Sequence, residues 1–586
     1  MASYQGTTVS QPLYHWDPKF DSQRRVSDRL DEPFDYVRDE QDVDSGLISR
    51  FMQVFDENDS CNTATDLVVK FCKGAELHNL QQDLGGTTER TALLNDSGGL
   101  TARDLYQALI KPKKVRKGLT YIHKGRIHHR KEATNQIGKP ETEIYIANLN
   151  RWSVVALAAT TSNRLVAILG EFIFNHLKFD PLINAKIHHI GFPIFSLEFH
   201  LPYFPLRRHR LPQMDNRQAP NGNGTLRGYQ DISFLRTMGT KVDNSLTEYV
   251  YDARLSCLVC GSNSSSWSVY LFNDLYFETE EESESIRGYH EDRSSGFESD
   301  PFTAGKLPPG SLPRDPREYV LIVLEIRMRK VKKEWQQLFE AIDEAIKTYR
   351  NDYWTKTSLT EALRRANDQK ARADADRQRS QLREELQEWM RRSVEFLRKL
   401  IGPLKQYTEE WEEFRKTGMN YFTSAADPER SDRLVKSLGA VDLEFKDLGR
   451  LLPKLNHIMD CLCEDMSRDV NLRIAHENNE SALLQQRTAM DLKVLTWITF
   501  LVLPLTLASS LLSTQEGYIP IKPSPWALLA WVAILEIREQ HAGPLNRVKV
   551  TTANSVWYSD MGRLGVARGL GFAQGENPES APPTGD

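Results

Sequence analysis

The feature that most constrains this 586-residue chain is a long uncharged stretch near its C-terminus. Residues 494–512 read VLTWITFLVLPLTLASSLL and contain no acidic or basic side chain. A helix that crosses the hydrocarbon core of a bilayer needs about 20 predominantly apolar residues. Pro504 would break a soluble helix, but membrane helices tolerate proline where neighbouring groups satisfy the freed carbonyl. The stretch therefore predicts a transmembrane helix.

The flanks of this stretch indicate its orientation. Lys493 precedes it and Trp497 lies near one end, which is typical of side chains that anchor a helix at the membrane interface. Arg487 and Lys493 lie on the N-terminal side, whereas the following loop offers only Lys522. The N-terminal part is therefore expected in the cytoplasm. A buried helix of a soluble protein is the alternative, which the highly charged neighbouring sequence disfavours.

A second apolar segment follows at residues 526–537, after a loop at 513–525. It holds only about ten apolar residues before Glu536, fewer than a comfortable span requires. A short second transmembrane helix is predicted here, with failure to cross as the alternative. If the segment crosses, the protein is multi-pass and both termini lie on the cytoplasmic side.

Composition limits what the rest of the chain can be. The 40% hydrophobic and 26% charged residues allow a packed core, and a net charge of −5 gives no bulk attraction to nucleic acid. Residues 1–25 lack an apolar run behind a basic start, so no cleavable secretory signal is expected. Six cysteines are too few for a disulfide scaffold, which favours a reducing compartment for most of the chain.

Periodicity predicts an α+β or α/β cytoplasmic domain followed by long stalk helices and one or two C-terminal transmembrane helices. Strand-like patterns cover 143–147, 187–201 and 247–277, helical patterns cover 152–177 and most of the chain after 317, and a break is expected near Pro453. The predicted order is a disordered polar tail (1–45), a helical and basic segment (46–140), an α/β domain (141–304), a linker (305–316), charged helices and stalk (317–493), the first membrane helix (494–512), a loop (513–525), the short second membrane helix (526–537) and a polar C-terminal tail (538–586).

Hydroxyl groups recur along the predicted membrane helix. These groups and one leucine follow one another at spacings of four and three residues, which places them on one side of a helix: Thr499, Leu503, Thr506, Ser510 and Ser513. In a ring of helices this side predicts a narrow aqueous path with an apolar constriction at Leu503. The alternative is that the hydroxyls bond back to the helix backbone or join helices together. The residues alone leave both interpretations open.

Other candidate sites have less specific patterns. Cys257 and Cys260 have the spacing of a zinc or redox pair, but no second pair accompanies them, so buried free thiols are expected. The basic run 111–131 and the acidic run 278–284 favour solvated loops over ligand sites. Scattered histidines lack ordered metal-ligand spacing: His123, His128, His129, His188 and His189. No hydrolase, nucleotide-binding or metalloprotease motif is present, so neither enzymatic activity nor a cofactor is expected.

The C-terminal third joins a charged helix, with Asn478 and residues 481–487, directly to an apolar helix with LPLT at 503–506 and then to a second apolar segment. This arrangement resembles the CorA-type divalent-cation transporters, whose first membrane helix has a similar core. FPIFSLEFHLPYF at 192–204 and DPREY at 315–319 are similar to CorA-like proteins of filamentous fungi. The resemblance covers about residues 140–535.

The resemblance implies a homopentamer in a lipid bilayer that moves Mg²⁺ or a related divalent cation through a pore lined by the first membrane helix. The family signature Gly-Met-Asn is replaced here by Ser513, Thr514 and Gln515, followed by Glu516. An amide oxygen and a carboxylate still suit contact with a hydrated cation, but selectivity for Mg²⁺ does not carry over. The alternative function is a non-conducting, membrane-anchored scaffold or interaction protein that keeps the same architecture.

Overall fold

The structure is a computed structural model of the chain. It describes residues 16–21, 46–59, 62–82, 89–95, 98–110, 121–123, 126–128, 140–188, 193–222, 224–236, 246–278, 286–295, 300–308, 313, 315–364, 369–423, 427–512, 526, 529–530 and 533–534. The chain divides into two compact units, Met1–Ser467 and Arg468–Asp586.

Strands of the first unit form a large mixed sheet and two small ones. They are β1 (Ala92–Leu94), β2 (Tyr121–His123), β3 (Arg126–His128), β4 (Thr142–Ala147), β5 (Leu182–His188), β6 (Ile194–Tyr203), β7 (Leu206–His209), β8 (Tyr229–Asp231), β9 (Thr247–Tyr251), β10 (Ala253–Asn263) and β11 (Ser266–Asn273). The large sheet has the order β1-β4-β11-β10-β6-β5, while β7-β9-β8 and β2-β3 form the small sheets. In the large sheet β4 and β11 run parallel, and the other neighbouring strands run antiparallel.

Helices occupy most of the remaining described chain. They are α1 (Leu47–Asp59), α2 (Asn62–Phe71), α3 (Leu77–Gln82), α4 (Ala102–Ile110), α5 (Arg151–Thr160), α6 (Val166–Lys178), α7 (Ile286–Ser294), α8 (Pro316–Arg364), α9 (Gln369–Thr417), α10 (Asn420–Thr423), α11 (Pro428–Gly449) and α12 (Leu451–Leu512). Asp427 caps α11, with Pro428 at the first helical position, where its missing N–H has no intrahelical partner in any case. The single residue Arg450 separates α11 from α12, and Pro453 lies in the first turn of α12, close to the position of the expected break.

The period of two along the strands divides the large sheet between two cores. Tyr145 of β4 and Leu271 of β11 face the core that contains buried residues of α8, α9 and α11. Ile146 and Phe272, the next residues on the same strands, face the core that contains α1, α2, α5 and α6. Because consecutive strand side chains point to opposite faces, both faces of the sheet are covered and the unit has three layers.

The charged helices of the first unit are more than a solvated stalk. Trp411 of α9 stacks on Phe445 of α11 with ring centroids 4.5 Å apart, and buried residues of α8, α9 and α11 belong to the same core as the sheet. Ion pairs also join these helices, such as Arg329, which is half exposed, to the buried Glu444 at 3.1 Å. Burial of apolar side chains on the sheet is the larger source of stability, since most helical stability comes from packing of an apolar face.

A short segment inside the predicted polar tail is anchored in the first unit. Residues 16–21 contain a 3₁₀ turn, Pro18–Asp21, and bury both Trp16 and Phe20. Both rings contact Phe195 of β6, at centroid distances of 5.1 and 5.5 Å. The backbone N–H of Ser264 donates to the Phe20 carbonyl at 2.8 Å. We call residues 16–21 the N-terminal anchor; the sequence analysis missed it.

The coarse layout predicted from the sequence is confirmed. A mixed α/β region precedes long C-terminal helices, and one helix of the described chain is long and apolar enough to span a membrane. The strand-like pattern at 187–201 covers two strands instead of one. β5 ends at His188, β6 begins at Ile194, and the two pair with each other antiparallel.

Candidate functional site

The apolar part of α12 leaves its side chains uncovered within the chain. Its most apolar 18-residue window has a mean hydropathy of 1.6, and none of it is buried. A helix in the core of a soluble domain buries at least one face, so this segment has the properties of a helix covered by lipid or by other chains. Large exposed apolar side chains point in all directions: Val494, Leu495, Trp497, Ile498, Phe500, Val502, Leu503, Leu505 and Leu507.

Four of the predicted pore-lining residues lie along one side of this helix. Thr499, Leu503, Thr506 and Ser510 are all exposed and follow one another at spacings of four, three and four. The Thr499 hydroxyl donates to the Leu495 carbonyl at 2.7 Å. The Thr506 and Ser510 hydroxyls also donate to carbonyls of the preceding turn, at 3.0 and 2.9 Å. We call these four residues the hydroxyl row.

The back-bonding in the hydroxyl row decides which hydrogen bonds remain available. A hydroxyl has one proton and two lone pairs, and each of these protons is used on the helix backbone. The outward-facing groups are therefore oxygen acceptors, which suit a cation or the hydrogens of its water shell. Of the two interpretations weighed from the sequence, back-bonding is present; it uses the hydroxyl protons of Thr499 and Thr506 and leaves the lone pairs of these oxygens as acceptors.

The remaining predicted residues of this region lie outside the described part of the chain. These are Ser513, Thr514, Gln515 and Glu516 at the expected pore mouth, and most of the second apolar segment at 526–537. In that segment the described side chains of Trp526, Leu529 and Ile534 are exposed.

A buried ion cluster lies beside the carboxyl end of β11 in the first unit. It consists of Asp215, Arg217, Arg227 and Asp274. Arg217 donates two hydrogen bonds to the Asp215 carboxylate, at 2.8 and 2.9 Å, and one to Asp274 at 2.7 Å. Arg227 binds the other oxygen of Asp274 at 2.8 Å. Burial alone would raise the pKa of Asp274, but the two guanidinium groups hold this pKa well below its usual range.

The same region satisfies the C-terminus of α6. The last carbonyls of a helix have no intrahelical partner, and cations are favourable there. Arg227 Nη2 donates to the His176 carbonyl in the last turn of α6 at 2.8 Å, and Arg254 Nη2 donates to the Asp180 carbonyl just after the helix at 2.5 Å. Burial, reinforced by Arg227, lowers the pKa of Arg254 to about 9. The arginines thus join α6, the sheet and residues 213–222 and 224–228, which we call the cluster loop.

Two histidines meet at one serine on the same face of the sheet. Ser256 of β10 lies opposite His200 of β6 in the strand register, and His176 of α6 packs above them. The Nδ1 atoms of both rings lie 2.8 Å from the Ser256 hydroxyl oxygen. All three side chains are fully buried, which leaves no room for a substrate. Ser256 therefore connects α6, β6 and β10 structurally, and we call Ser256 with the two histidines the serine bridge.

A cleft of about 450 Å³ opens next to the ion cluster. It lies where β4 and β11 end, because the carboxyl ends of parallel neighbours meet at one edge of a sheet. Its volume is within the range of small-molecule sites. Asn148, which adopts a left-handed φ of 54°, accepts a bond from the Leu275 N–H at 2.7 Å and turns the chain there. The residues that line the cleft include Asn148, Asn150, Arg151, Trp152, Gln213, Arg217 and Tyr276.

The structure also decides several weaker candidates. Cys257 and Cys260 are buried free thiols, as predicted, and burial raises the pKa of Cys260 to about 12. His188 is bonded to Ser196 at 2.9 Å. No group of three or more potential metal ligands occurs within the described residues. His129, His189 and most of the runs 111–131 and 278–284 lie outside them.

Comparisons with known proteins provide little further information. No protein-family profile matches this chain, and no curated protein matches it. A solved structure described as the full-length CmaX protein is similar to 67% of this chain and 85% of its own length, with 13% identity and a TM-score of 0.23. A score this low carries no argument about fold or function.

Sequence reasoning missed the ion cluster and the serine bridge. Their residues come from separate segments, and no local spacing joins them. The available signal was a polar residue at every second position of an otherwise apolar strand: Glu198 and His200 on β6, and Arg254 and Ser256 on β10. Buried polar side chains in such a row must find hydrogen-bond partners across the core.

Proposed function

We propose that this protein is a CorA-like membrane protein that moves a divalent cation through a pore formed by the apolar part of α12. The observation that carries the proposal is the fully exposed apolar segment of α12, with the hydroxyl row along one side. The proposed cargo is Mg²⁺ or a related ion, and the proposed assembly is a homo-oligomer in which five copies surround the pore.

The exposed apolar surface supports membrane insertion. Leu495, Trp497 and Leu503 are each more than half exposed and lie on different sides of the helix. Burial of apolar surface contributes about 25 cal/mol per Å², so leaving this entire segment in water is unfavourable. Lipid around most of the helix and other copies along one side would cover it.

The hydroxyl row supports conduction. Its oxygen atoms are acceptors because their protons are committed to the helix backbone. A hard cation such as Mg²⁺ prefers oxygen ligands and keeps several of its waters. Rings of hydroxyl oxygens from several copies would contact that hydrated ion, with Leu503 between them as an apolar constriction.

Topology is the first test of the proposal. Full-length protein with a tag at each terminus is extracted with alkaline carbonate, and each tag is probed by protease protection. The expected result is retention in the membrane pellet with both tags on the cytoplasmic side. Tags on opposite sides would show that the segment at 526–537 does not cross. Release into the supernatant would refute membrane insertion.

A matched pair of serines tests conduction. Ser510 belongs to the hydroxyl row, whereas its neighbour Ser509 is about 100° away around the helix. Divalent-cation uptake is measured in a transport-deficient host. Ser510→Ala and Thr506→Val should reduce uptake strongly, while Ser509→Ala should leave it close to wild type. Equal uptake by all variants would refute the pore assignment. Absence of uptake by the wild type, with stable insertion, would favour the non-conducting scaffold.

A further inference from the structure

The serine bridge requires its two histidines to differ. A hydroxyl has a single proton, so it donates to one Nδ1 atom and must accept from the other. Burial lowers the pKa of both His176 and His200 well below the usual value, and Arg254 lowers both further. Both rings are therefore neutral near pH 7, with one N–H each. The two histidines must be opposite tautomers.

An ionised Glu198 gives this hydrogen-bonded chain one direction. Burial raises the pKa of Glu198, while Lys186 and Arg254 oppose that shift and favour the carboxylate. His200 Nε2 lies 3.4 Å from Glu198 Oε2, so beside the carboxylate this nitrogen carries the proton and His200 Nδ1 accepts from Ser256. Ser256 then accepts from the Nδ1–H of His176. The Nε2 atom of His176 consequently has a free lone pair. It has no hydrogen-bond partner in the described structure and lies 3.9 Å from Asp274 Oδ1.

We propose that His176 Nε2 is a proton-binding site through which acid releases the cluster loop from the sheet. A proton there turns the ring into a cation that pairs with Asp274 without breaking the serine bridge. Asp274 also binds Arg217 and Arg227, at 2.7 and 2.8 Å, so these two ion pairs weaken, and the bond from Arg227 to the His176 carbonyl is the contact that remains to be broken. The loop that these arginines anchor forms one wall of the cleft.

The charges around His176 favour release over simple accommodation. The cations that face it are Arg227 and Arg217 from the cluster loop and Arg254 from β10, and the facing carboxylate is Asp274 after β11. On its other side the ring meets the neutral Ser256 hydroxyl. A fourth cation in this group raises repulsion, and the two loop arginines can leave without opening the sheet. Movement of the loop is therefore the relief available to a protonated His176.

Hydrogen–deuterium exchange tests the proposal on the full-length protein in detergent micelles. Exchange rates of peptides from 213–228, corrected for intrinsic pH dependence, are compared between pH 7.5 and 5.5. Burial, together with the loop arginines Arg227 and Arg217, holds the pKa of His176 low while the loop is bound, so the bound state binds fewer protons. Loop opening should therefore increase by up to about tenfold per pH unit below ~6.5.

The variants His176→Gln and His188→Gln separate the cause from general acid effects. His176→Gln should abolish the pH dependence of loop exchange. His188→Gln should retain the pH dependence. His188 of β5 also bonds a serine hydroxyl, that of Ser196 on β6, but it does not face Asp274. An unchanged pH dependence in His176→Gln, or none in the wild type, would overturn the proposal.

A measurement on unmutated protein guards against misfolding of the variant. Selective ¹⁵N labelling of histidine gives ring-nitrogen shifts that distinguish the tautomers, and loss of one signal set in His200→Gln assigns that residue. The expected result at pH 7.5 is an Nε2–H tautomer for His200 and an Nδ1–H tautomer for His176. An Nε2–H tautomer for His176 would remove the free lone pair beside Asp274 and refute the mechanism.

Discussion

Replacing Trp16 by alanine should release the N-terminal anchor from the first unit. Trp16 is 3% exposed, its indole contacts Phe20 and Phe195, and the Arg317 guanidinium lies over it at 4.4 Å. Truncation of a buried tryptophan to alanine costs about 3–5 kcal/mol. The lost cation–π contact is part of that figure and amounts to about 1 kcal/mol.

The destabilisation should appear locally because the anchor is short. At about 1.4 kcal/mol per factor of ten, a loss of ~3 kcal/mol raises the opening equilibrium of residues 16–21 roughly a hundredfold. Trp16→Ala leaves the ion pair of Asp21 with Arg430, at 3.1 Å, in place, so the hundredfold increase is an upper value. The core of sheet and helices should remain folded.

Amide exchange and limited proteolysis measure this release. The Ser264 N–H, which donates to the Phe20 carbonyl, reports on the anchor from the other side of the contact. Its exchange should accelerate together with that of residues 16–21 in Trp16→Ala. Lys19→Ala is the matched control, because the Lys19 side chain is 74% exposed. Equal protection in the two variants would show that the buried indole does not hold the anchor.

Three further changes have defined outcomes. A thiol reagent should modify Cys257 and Cys260 only after unfolding, because burial raises the pKa of both thiols; modification in the native protein would contradict their burial. Gly261→Ala should destabilise the protein by about 1–3 kcal/mol in thermal unfolding, since its Cβ would lie 2.5 Å from Trp267 Cβ. The free energy of unfolding should fall as pH drops below ~6.5, because the lowered pKa of His200 in the folded protein means that the unfolded chain binds an extra proton. His200→Gln should reduce the slope of unfolding free energy against pH by up to about 1.4 kcal/mol per pH unit. An unchanged slope would exclude His200 as a source of this pH dependence.

Local sequence patterns predicted several elements of the fold, but not the N-terminal anchor or the division of 187–201 into β5 and β6. Alternation at 143–147 predicted β4, and the break near Pro453 separates α11 from α12. These predictions succeeded because strand alternation and proline chemistry act over a few residues. The sharing of the sheet between two helical layers was not visible in the sequence. Strands buried on both faces read as continuous apolar runs, which do not identify the helices that cover each side.

The candidate membrane span and the hydroxyl row can be identified from the sequence alone. The absence of charge between Val494 and Leu512, and the spacing of Thr499, Thr506 and Ser510, are properties of one helix and need no other element. The functions of a pore and its ion still stand as proposals, since they depend on several chains. A single helix fixes which side chains share a face, and its partners decide what that face contacts.

Only the tertiary structure decided which polar residues became a network. Ser256 lies 80 residues from His176 and 56 from His200, yet its hydroxyl bonds both rings in the core. Asp274 likewise meets Arg217 across 57 residues. The sequence required only that buried polar groups be satisfied. Which partners satisfy them depends on strand register and helix packing, because those long-range contacts bring distant segments within hydrogen-bond distance.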